Sequence, residues 1–182
     1  MRELPRCVLL VSLALAGCHG AGPYGHAVNY EPLGEEETAI AGAREYDPVM
    51  FQRQPEEWRA KPTMLFGIVT VRGNGSGGGA YLTLSVRRLE PRNLCVNGND
   101  EESCRVTVSD KDFGVVHAVV SLRPEDNVGE HSMGIGSLVR LVGMFGEAVD
   151  TNDGAPTMRA SFYRHWPRYT YVTKASAGNM RQ

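Results

Sequence analysis

The amino-acid sequence predicts an all-β domain, either a barrel or a sandwich, and three observations support this. Apolar residues recur in at least five short, strand-like runs between residues 64 and 173, several with clear two-residue alternation. Clusters rich in glycine, asparagine and aspartate separate the runs and are typical of turns. No long helical pattern comes between them, which indicates a closed or layered sheet.

The chain begins with a segment, residues 1–17, that has the composition of a secretory signal peptide. Arg2 and Arg6 give it a basic start, residues 8–15 are largely apolar, and small residues follow. The apolar run is much shorter than the roughly 20 residues of a membrane-spanning helix. We therefore expect a cleaved signal and not a transmembrane anchor.

The signal closes with Leu15-Ala16-Gly17-Cys18. This tetrapeptide resembles the lipobox of bacterial lipoproteins. The resemblance implies that cleavage follows Gly17 and that Cys18 carries a diacylglyceryl group and a further acyl chain such as palmitate. Two or more chains hold a protein durably on a membrane. The alternative is an ordinary secretory signal with an unrelated cysteine.

Position 19 bears on which membrane holds the anchor. It is His19, whereas enteric lipoproteins kept in the inner membrane have aspartate there. The resemblance therefore implies the outer membrane, with the domain facing the periplasm or the cell surface. Residues 18–45, rich in Gly, Pro, Ala and Glu without an apolar period, are expected to form a disordered tether, with Glu35-Glu36-Glu37 as solvated spacing.

The folded domain is expected to span residues 46–173, followed by a polar tail at 174–182. Asp47-Pro48 and Gln54-Pro55 each predict a short helical turn, because proline suits the first helical position. Met50, Phe51 and Trp58 would then close one end of the β core. The alternative for Trp58 is an aromatic platform for a ligand.

The first two predicted strands are residues 64–72 and 81–88, with Leu82, Leu84 and Val86 facing the core. The glycine-rich residues 73–79 between them predict a hairpin loop. A phosphate-binding loop is the alternative, but the Gly-Lys-Ser/Thr step and the following helix are missing.

The cysteines indicate one disulfide bond. If Cys7 leaves with the signal and Cys18 is lipidated, Cys95 and Cys104 remain as a pair around a polar loop. Closing a loop this short in an oxidising compartment stabilises a fold by roughly 2 to 3 kcal/mol. No histidine stands at a zinc-ligand spacing from these cysteines, so no metal site is expected there.

Residues 94–95 and 104–108 are expected to be two short strands or strand ends joined by the disulfide loop. The strand that follows, residues 115–122, places His117 opposite an apolar face formed by Val116, Ala118, Val120 and Leu122. His117 could act as a general base only beside an acid that the sequence does not identify, so a partly exposed strand histidine is expected. The loop 123–131 gathers Glu125, Asp126, Glu130 and His131, but their spacing matches no EF-hand, and a solvated loop is expected.

The last strands lie at residues 134–147, 156–163 and 164–173. Glycines at both ends of the first and within it are typical of a sheet that bends to close. Turn residues 150–154 separate it from the second.

Short motifs within residues 55–173 resemble those of a known family. Residues 55–62, followed by Phe66-Gly67-Ile68-Val69, are similar to the opening of the starvation-inducible outer-membrane lipoproteins (Slp). Gly136–Gly143 and Trp166-Pro167-Arg168-Tyr169 are similar to that family's later pattern. Ala60 replaces its usual glycine, and the cysteine pair is an addition. The resemblance covers residues 55–173 and implies a small OB-like closed barrel of five to seven strands, without catalytic residues or a cofactor.

The net charge and the motifs exclude some classes of function and favour others. The formal net charge is −2 at pH 7, and about −3 without Arg2, Arg6 and Glu3, so no nucleic-acid partner is expected. We expect a non-enzymatic envelope module with a structural or binding role, an envelope protein or a glycan as its partner, and no metal or cofactor. The alternative is a module that binds oligosaccharide or peptidoglycan through a candidate face comprising Arg87, Arg140, Arg159, Tyr163 and Trp166.

An envelope hydrolase is the remaining alternative. The sequence disfavours it, because it contains no Gly-x-Ser-x-Gly, His-Glu-x-x-His or Ser-x-x-Lys motif.

Overall fold

A computed structural model describes residues 23–75 and 79–180, so the predicted signal peptide and Cys18 lie outside the described residues. The strands are β1 (Arg44–Glu45), β2 (Thr63–Asn74), β3 (Ala80–Arg87), β4 (Leu94–Cys95), β5 (Cys104–Val108), β6 (Val115–Val120), β7 (Leu138–Val149), β8 (Pro156–Trp166) and β9 (Tyr171–Thr173). The helices are α1 (Gly34–Ile40), α2 (Pro48–Arg53), α3 (Pro55–Arg59) and α4 (Pro124–Asn127), with 3₁₀ turns at Glu101–Ser103 and Lys174–Asn179. Over these ranges no helix is both long and apolar enough to cross a membrane.

Five strands close into a barrel in the order β2-β3-β6-β8-β7, and β7 pairs again with β2. Every pairing in the ring is antiparallel except the one between β6 and β8. Numbered along the chain, the barrel strands follow the order 1-2-3-5-4-1. A closed five-stranded barrel with this order is the OB fold, so the predicted all-β, OB-like barrel is confirmed.

The barrel interior is filled by alternating apolar side chains, as the sequence predicted for β3 and β6. Leu82, Leu84, Val116 and Ala118 are fully buried, and Val86 and Val120 nearly so. The facing strands β2, β7 and β8 contribute Leu65, Val69, Val139, Leu141 and Met158.

The two predicted proline-initiated turns are α2 and α3. The Asp47 carboxylate caps α2 by accepting hydrogen bonds from the Val49 and Met50 amides at 2.9 and 3.0 Å. Phe51 and Trp58 pack with Tyr46 and close one end of the barrel. Met50, in contrast, is exposed because it lies on the outer side of α2.

A second, smaller sheet is formed by β4, β5 and β9, and it contains the Cys95–Cys104 disulfide. The predicted disulfide is thus confirmed. It joins paired residues of β4 and β5, across a polar loop of exposed and half-buried residues. Trp166, Val106 and Val108 form a separate apolar cluster between this sheet and the barrel.

The predicted boundary between tether and domain at residue 45 needs correction. Residues 23–45, called the strap below, pack on the barrel: Tyr24 and Tyr30 contact the cluster around Trp166, and β1 pairs with the start of β2. The sequence did not show this because the contacting side chains follow no regular period. Residues 18–22 of the predicted tether lie outside the described residues. Part of the predicted polar tail, Lys174–Asn179, is also structured.

Candidate functional site

The five residues of the candidate binding face do not form one surface. Trp166 is completely buried and Arg140 nearly so, Arg87 and Tyr163 are half-buried, and Arg159 is exposed. Trp166 donates its indole N–H to the Tyr24 carbonyl at 2.8 Å, so the strap covers it. The predicted face is wrong, because β7 and β8 turn these two side chains toward the strap and not toward solvent.

Arg140 instead belongs to a buried ionic cluster that fastens the strap. Glu36 on α1 has no exposed surface, and its carboxylate accepts hydrogen bonds from Arg140 at 2.5 Å, from Arg164 at 2.8 Å and from the Tyr30 hydroxyl. A fourth bond comes from the Leu33 amide at 3.1 Å. Both arginines and the tyrosine are thereby held by one acidic side chain.

The electrostatics of Glu36 follow from these bonds. Burial raises the pKa of its carboxyl, but hydrogen bonds from Tyr30 and Arg164 and the charges of Arg140 and Arg164 outweigh that effect, so the pKa is lowered overall. Burial raises the pKa of Tyr30, which therefore stays protonated as a hydrogen-bond donor. The acidic run of residues 35–37 was expected to be solvated, but its central residue, Glu36, is buried and fastens the strap to the barrel.

Tyr163 and the loop 123–131 form a second polar group. The Tyr163 hydroxyl donates to Asp126 at 2.5 Å and accepts from the Arg123 amide at 2.8 Å. Asp126 is buried, whereas Glu125, Glu130 and His131 are exposed. Three of the four side chains are therefore exposed to solvent, as expected, and Asp126 instead holds α4 to β8.

A shallow cleft lies between the start of α1, the end of β6 and part of β8. Tyr163 and Arg164 form part of its wall, and Glu35 and Arg123 place opposite charges there. The other lining residues are Leu33, Val120, Ser121, Ala160, Ser161 and Phe162.

A third polar group, here called the His117 cluster, lies on the outer surface of β3 and β6 beside the loop that joins β7 to β8. It consists of His117, Thr83, Tyr81, Asp150 and Asp153. The imidazole Nε2 of His117 is 3.0 Å from Asp153 Oδ2, and its Nδ1 is 3.1 Å from Thr83 Oγ1. The Tyr81 ring stacks on the imidazole, with centroids 5.4 Å apart and planes 18° apart.

The position of each member follows from the strand register. Thr83 lies opposite His117 in the β3–β6 pair, and Tyr81 is two residues along the same face. The β6–β8 pair sets His117 beside Thr157, so the loop that precedes β8 passes over the imidazole. His117 was expected to be partly exposed and without a known acid; it is 5 % exposed and paired with Asp153.

The two aspartates are held by their own loop. The Asn152 amide donates to Asp150 at 2.8 Å, and the Ala155 amide donates to Asp153 at 2.9 Å. The hydrogen bond from the Asn152 amide, and to a lesser degree Tyr81, the Asn152 side chain and the nearby His117, lower the pKa of Asp150 against the effect of burial. Burial, then the hydrogen bond to Asp150, raise the pKa of Tyr81. Asp150 is thus ionised and Tyr81 neutral at pH 7.

Comparison with known proteins adds little to this geometry. No protein-family model and no curated protein sequence matches the chain. Among solved structures, the small single-stranded DNA-binding protein from Streptomyces coelicolor is similar, with 14 % identity and a TM-score of 0.36 over 58 % of this chain and 93 % of that one. These values are too low to support an inference about fold or function, so the fold assignment rests on the strand order of the barrel.

Proposed function

We propose that this protein is a lipid-anchored, non-enzymatic module of the bacterial outer membrane, whose OB barrel has a structural or binding role in the envelope. The observation that carries the proposal is the tetrapeptide Leu15-Ala16-Gly17-Cys18 at the end of a short apolar run. The Cys95–Cys104 disulfide supports export, because such bonds persist in oxidising compartments and are rare in the cytosol. His19 and the short motifs similar to the Slp lipoproteins favour the outer membrane.

The strap limits how far the barrel can lie from the proposed lipid anchor at Cys18. Pro23 already bonds to the barrel, because its carbonyl accepts from Arg164 Nε at 3.0 Å. Five residue steps separate Cys18 from Pro23, and an extended chain covers at most about 18 Å over that number. The barrel would therefore lie against the membrane surface, whereas a free tether through residue 45 would allow about 95 Å.

The glycan-binding alternative loses its main support. It required arginines and aromatic rings exposed together, and Trp166 and Arg140 are buried under the strap. An envelope protein as partner remains our proposal. The slightly acidic net charge argues against binding of nucleic acid.

The proposal is tested by replacing Cys18 with serine in the full-length chain. In cells labelled with a fatty acid, we expect the wild-type protein to be labelled and to sediment with the outer membrane, and the Cys18→Ser protein to lose both properties. Cys7→Ser is the matched control, because that cysteine lies within the predicted signal and should leave labelling unchanged. Labelling that persists in Cys18→Ser would contradict the proposal.

A further inference from the structure

We propose that the His117 cluster is a binding site for a divalent transition-metal ion, with zinc as the best-suited example. His117, Asp150 and Asp153 are its ligands. This inference is independent of the lipid anchor, because it rests only on side chains of the barrel and the loop between β7 and β8.

The three ligand atoms are already close together. One nitrogen of His117 and one oxygen from each aspartate all lie within 4.8 Å of one another. Zinc binds such atoms at about 2.0 to 2.2 Å, which places neighbouring ligands about 3.5 Å apart in a tetrahedral site. Asp153 has a side chain that is 42 % exposed, so a small rotation of its carboxylate can complete the approach.

The imidazole is held in the orientation that a ligand needs. His117 has a side chain only 6 % exposed, and Tyr81 stacks on its face. Its Nδ1 faces the Thr83 hydroxyl, as in metal sites where the second ring nitrogen donates to a neighbouring oxygen and so fixes the tautomer. With that proton on Nδ1, the lone pair of Nε2 points toward the Asp153 carboxylate.

Metal binding would change the tautomer of the His117 imidazole. Without an ion, the proton on Nε2 is donated to Asp153, and the Thr83 hydroxyl donates to Nδ1. When the metal binds, Nε2 releases its proton to solvent, Nδ1 takes up a proton from solvent, and the hydroxyl becomes the acceptor, so the imidazole stays neutral with one ring proton. A rotating hydroxyl accommodates both arrangements, since it can donate or accept.

The aspartates also have outer support. Asp150 accepts hydrogen bonds from the Tyr81 hydroxyl at 3.2 Å and from the Asn152 amide, and Asp153 accepts one from the Ala155 amide. Ligating carboxylates are commonly hydrogen-bonded in this way. Each carboxylate has two oxygens and about four acceptor directions, so these bonds leave room for a metal.

The donor set selects the kind of ion. One imidazole nitrogen with two carboxylates suits zinc and similar transition metals, whereas calcium takes six to eight oxygen ligands. Three protein ligands leave a fourth position open, and the exposure of Asp153 gives that position access to solvent.

Nucleophilic catalysis explains the same residues less well. Thr83 lies in the middle of β3 and pairs with residues of both β2 and β6. Its hydroxyl faces Nδ1 from within the sheet surface, and its carbonyl accepts from Thr70 at 3.1 Å. A nucleophile needs an approach path and hydrogen-bond donors for the developing oxyanion, and the backbone groups around Thr83 are engaged in the sheet.

The test is zinc binding by the full-length protein, purified in detergent without a histidine tag and freed of metal with EDTA. Equilibrium dialysis should give one zinc per chain, and the His117 Nε2 resonance in an imidazole ¹⁵N NMR spectrum should shift on saturation. Asp150→Asn and Asp153→Asn should each weaken binding by about tenfold or more, since they remove a charged ligand. Calcium should bind much more weakly.

Two controls separate a specific site from general effects. His26→Gln and Asp112→Asn change the same residue types away from the cluster and should bind zinc as the wild type does. Circular dichroism must show each variant folded; His117→Gln is a further variant if an aspartate variant does not fold. Absence of zinc binding, unchanged affinity in the folded aspartate variants, or equal affinity for calcium would each overturn the proposal.

Discussion

At the scale of single residues, Glu36 has the largest structural role that the sequence did not reveal. It is completely buried and neutralises one of the two buried arginines beside it, Arg140 and Arg164. Removing one partner of a buried ionic group costs more than the group contributes as a whole, because the remaining charges stay buried without compensation.

We therefore predict that Glu36→Gln lowers the free energy of unfolding by about 3 to 5 kcal/mol. Glu35→Gln is the matched control: it lies one position earlier on α1, is exposed, and should change stability by less than about 0.5 kcal/mol. Urea unfolding at pH 7 measures both. Equal stability of the two variants would contradict the role of Glu36.

The same prediction has a pH signature. Because the pKa of Glu36 is lowered in the folded state from its usual 4.5, its contribution is present above pH 4.5 and is lost as the pH falls further. The stability difference between wild type and Glu36→Gln should hence shrink in that range. A difference that stays constant from pH 7 to pH 3 would contradict the assignment.

At the scale of elements, Gly143 allows β7 and β8 to close the barrel. The β7–β8 register shifts between Val142 and Gly143, which marks a bulge. A Cβ at position 143 would overlap the Arg159 carbonyl and lie 2.8 Å from Ala160 Cα. These are backbone atoms, so the neighbours cannot yield by a side-chain rotation.

We predict that Gly143→Ala destabilises the barrel by about 2 to 3 kcal/mol, the cost of overpacking against backbone. Gly146→Ala, three residues further along β7, would place its Cβ 3.7 Å from the nearest atom and should be tolerated. Thermal unfolding of the two variants tests the difference. If both behaved alike, the close approach at Gly143 would not limit the fold.

The elements also show which local patterns were predictive. The strands β3 and β6 were predicted because their buried residues alternate, and the turns at Pro48 and Pro55 because proline suits a helix start. The Cys95–Cys104 disulfide followed from counting cysteines. The strands and turns thus depend on neighbours in sequence, and the disulfide on the number of cysteines left for pairing.

For the molecule as a whole, the closure of the barrel and the formation of its polar clusters depend on how distant strands pair. Local sequence patterns do not predict that pairing. The parallel pairing of β6 with β8 brings Asp153 to His117 across 36 positions, and no short motif records that distance. Glu36 reaches Arg140 and Arg164 across more than 100 positions. Glu36 lies in a stretch rich in glycine and glutamate, and for that reason the sequence predicted it to be exposed to solvent.

The strap also changes how the whole molecule relates to the proposed anchor. A barrel on a free tether would move through a wide volume, whereas here Pro23, which already bonds to the barrel, stays within about 18 Å of Cys18. We propose that this compact unit is attached to the membrane through a lipidated Cys18 only a few residues before the strap.

Mass spectrometry of the amino-terminal peptide of the purified native protein tests the attachment of lipid to Cys18. We predict a chain that begins at Cys18 and carries the mass of a diacylglyceryl group and an additional acyl chain, with no peptides from residues 1–17. An unmodified Cys18, or a mature chain that retains residues 1–17, would contradict it.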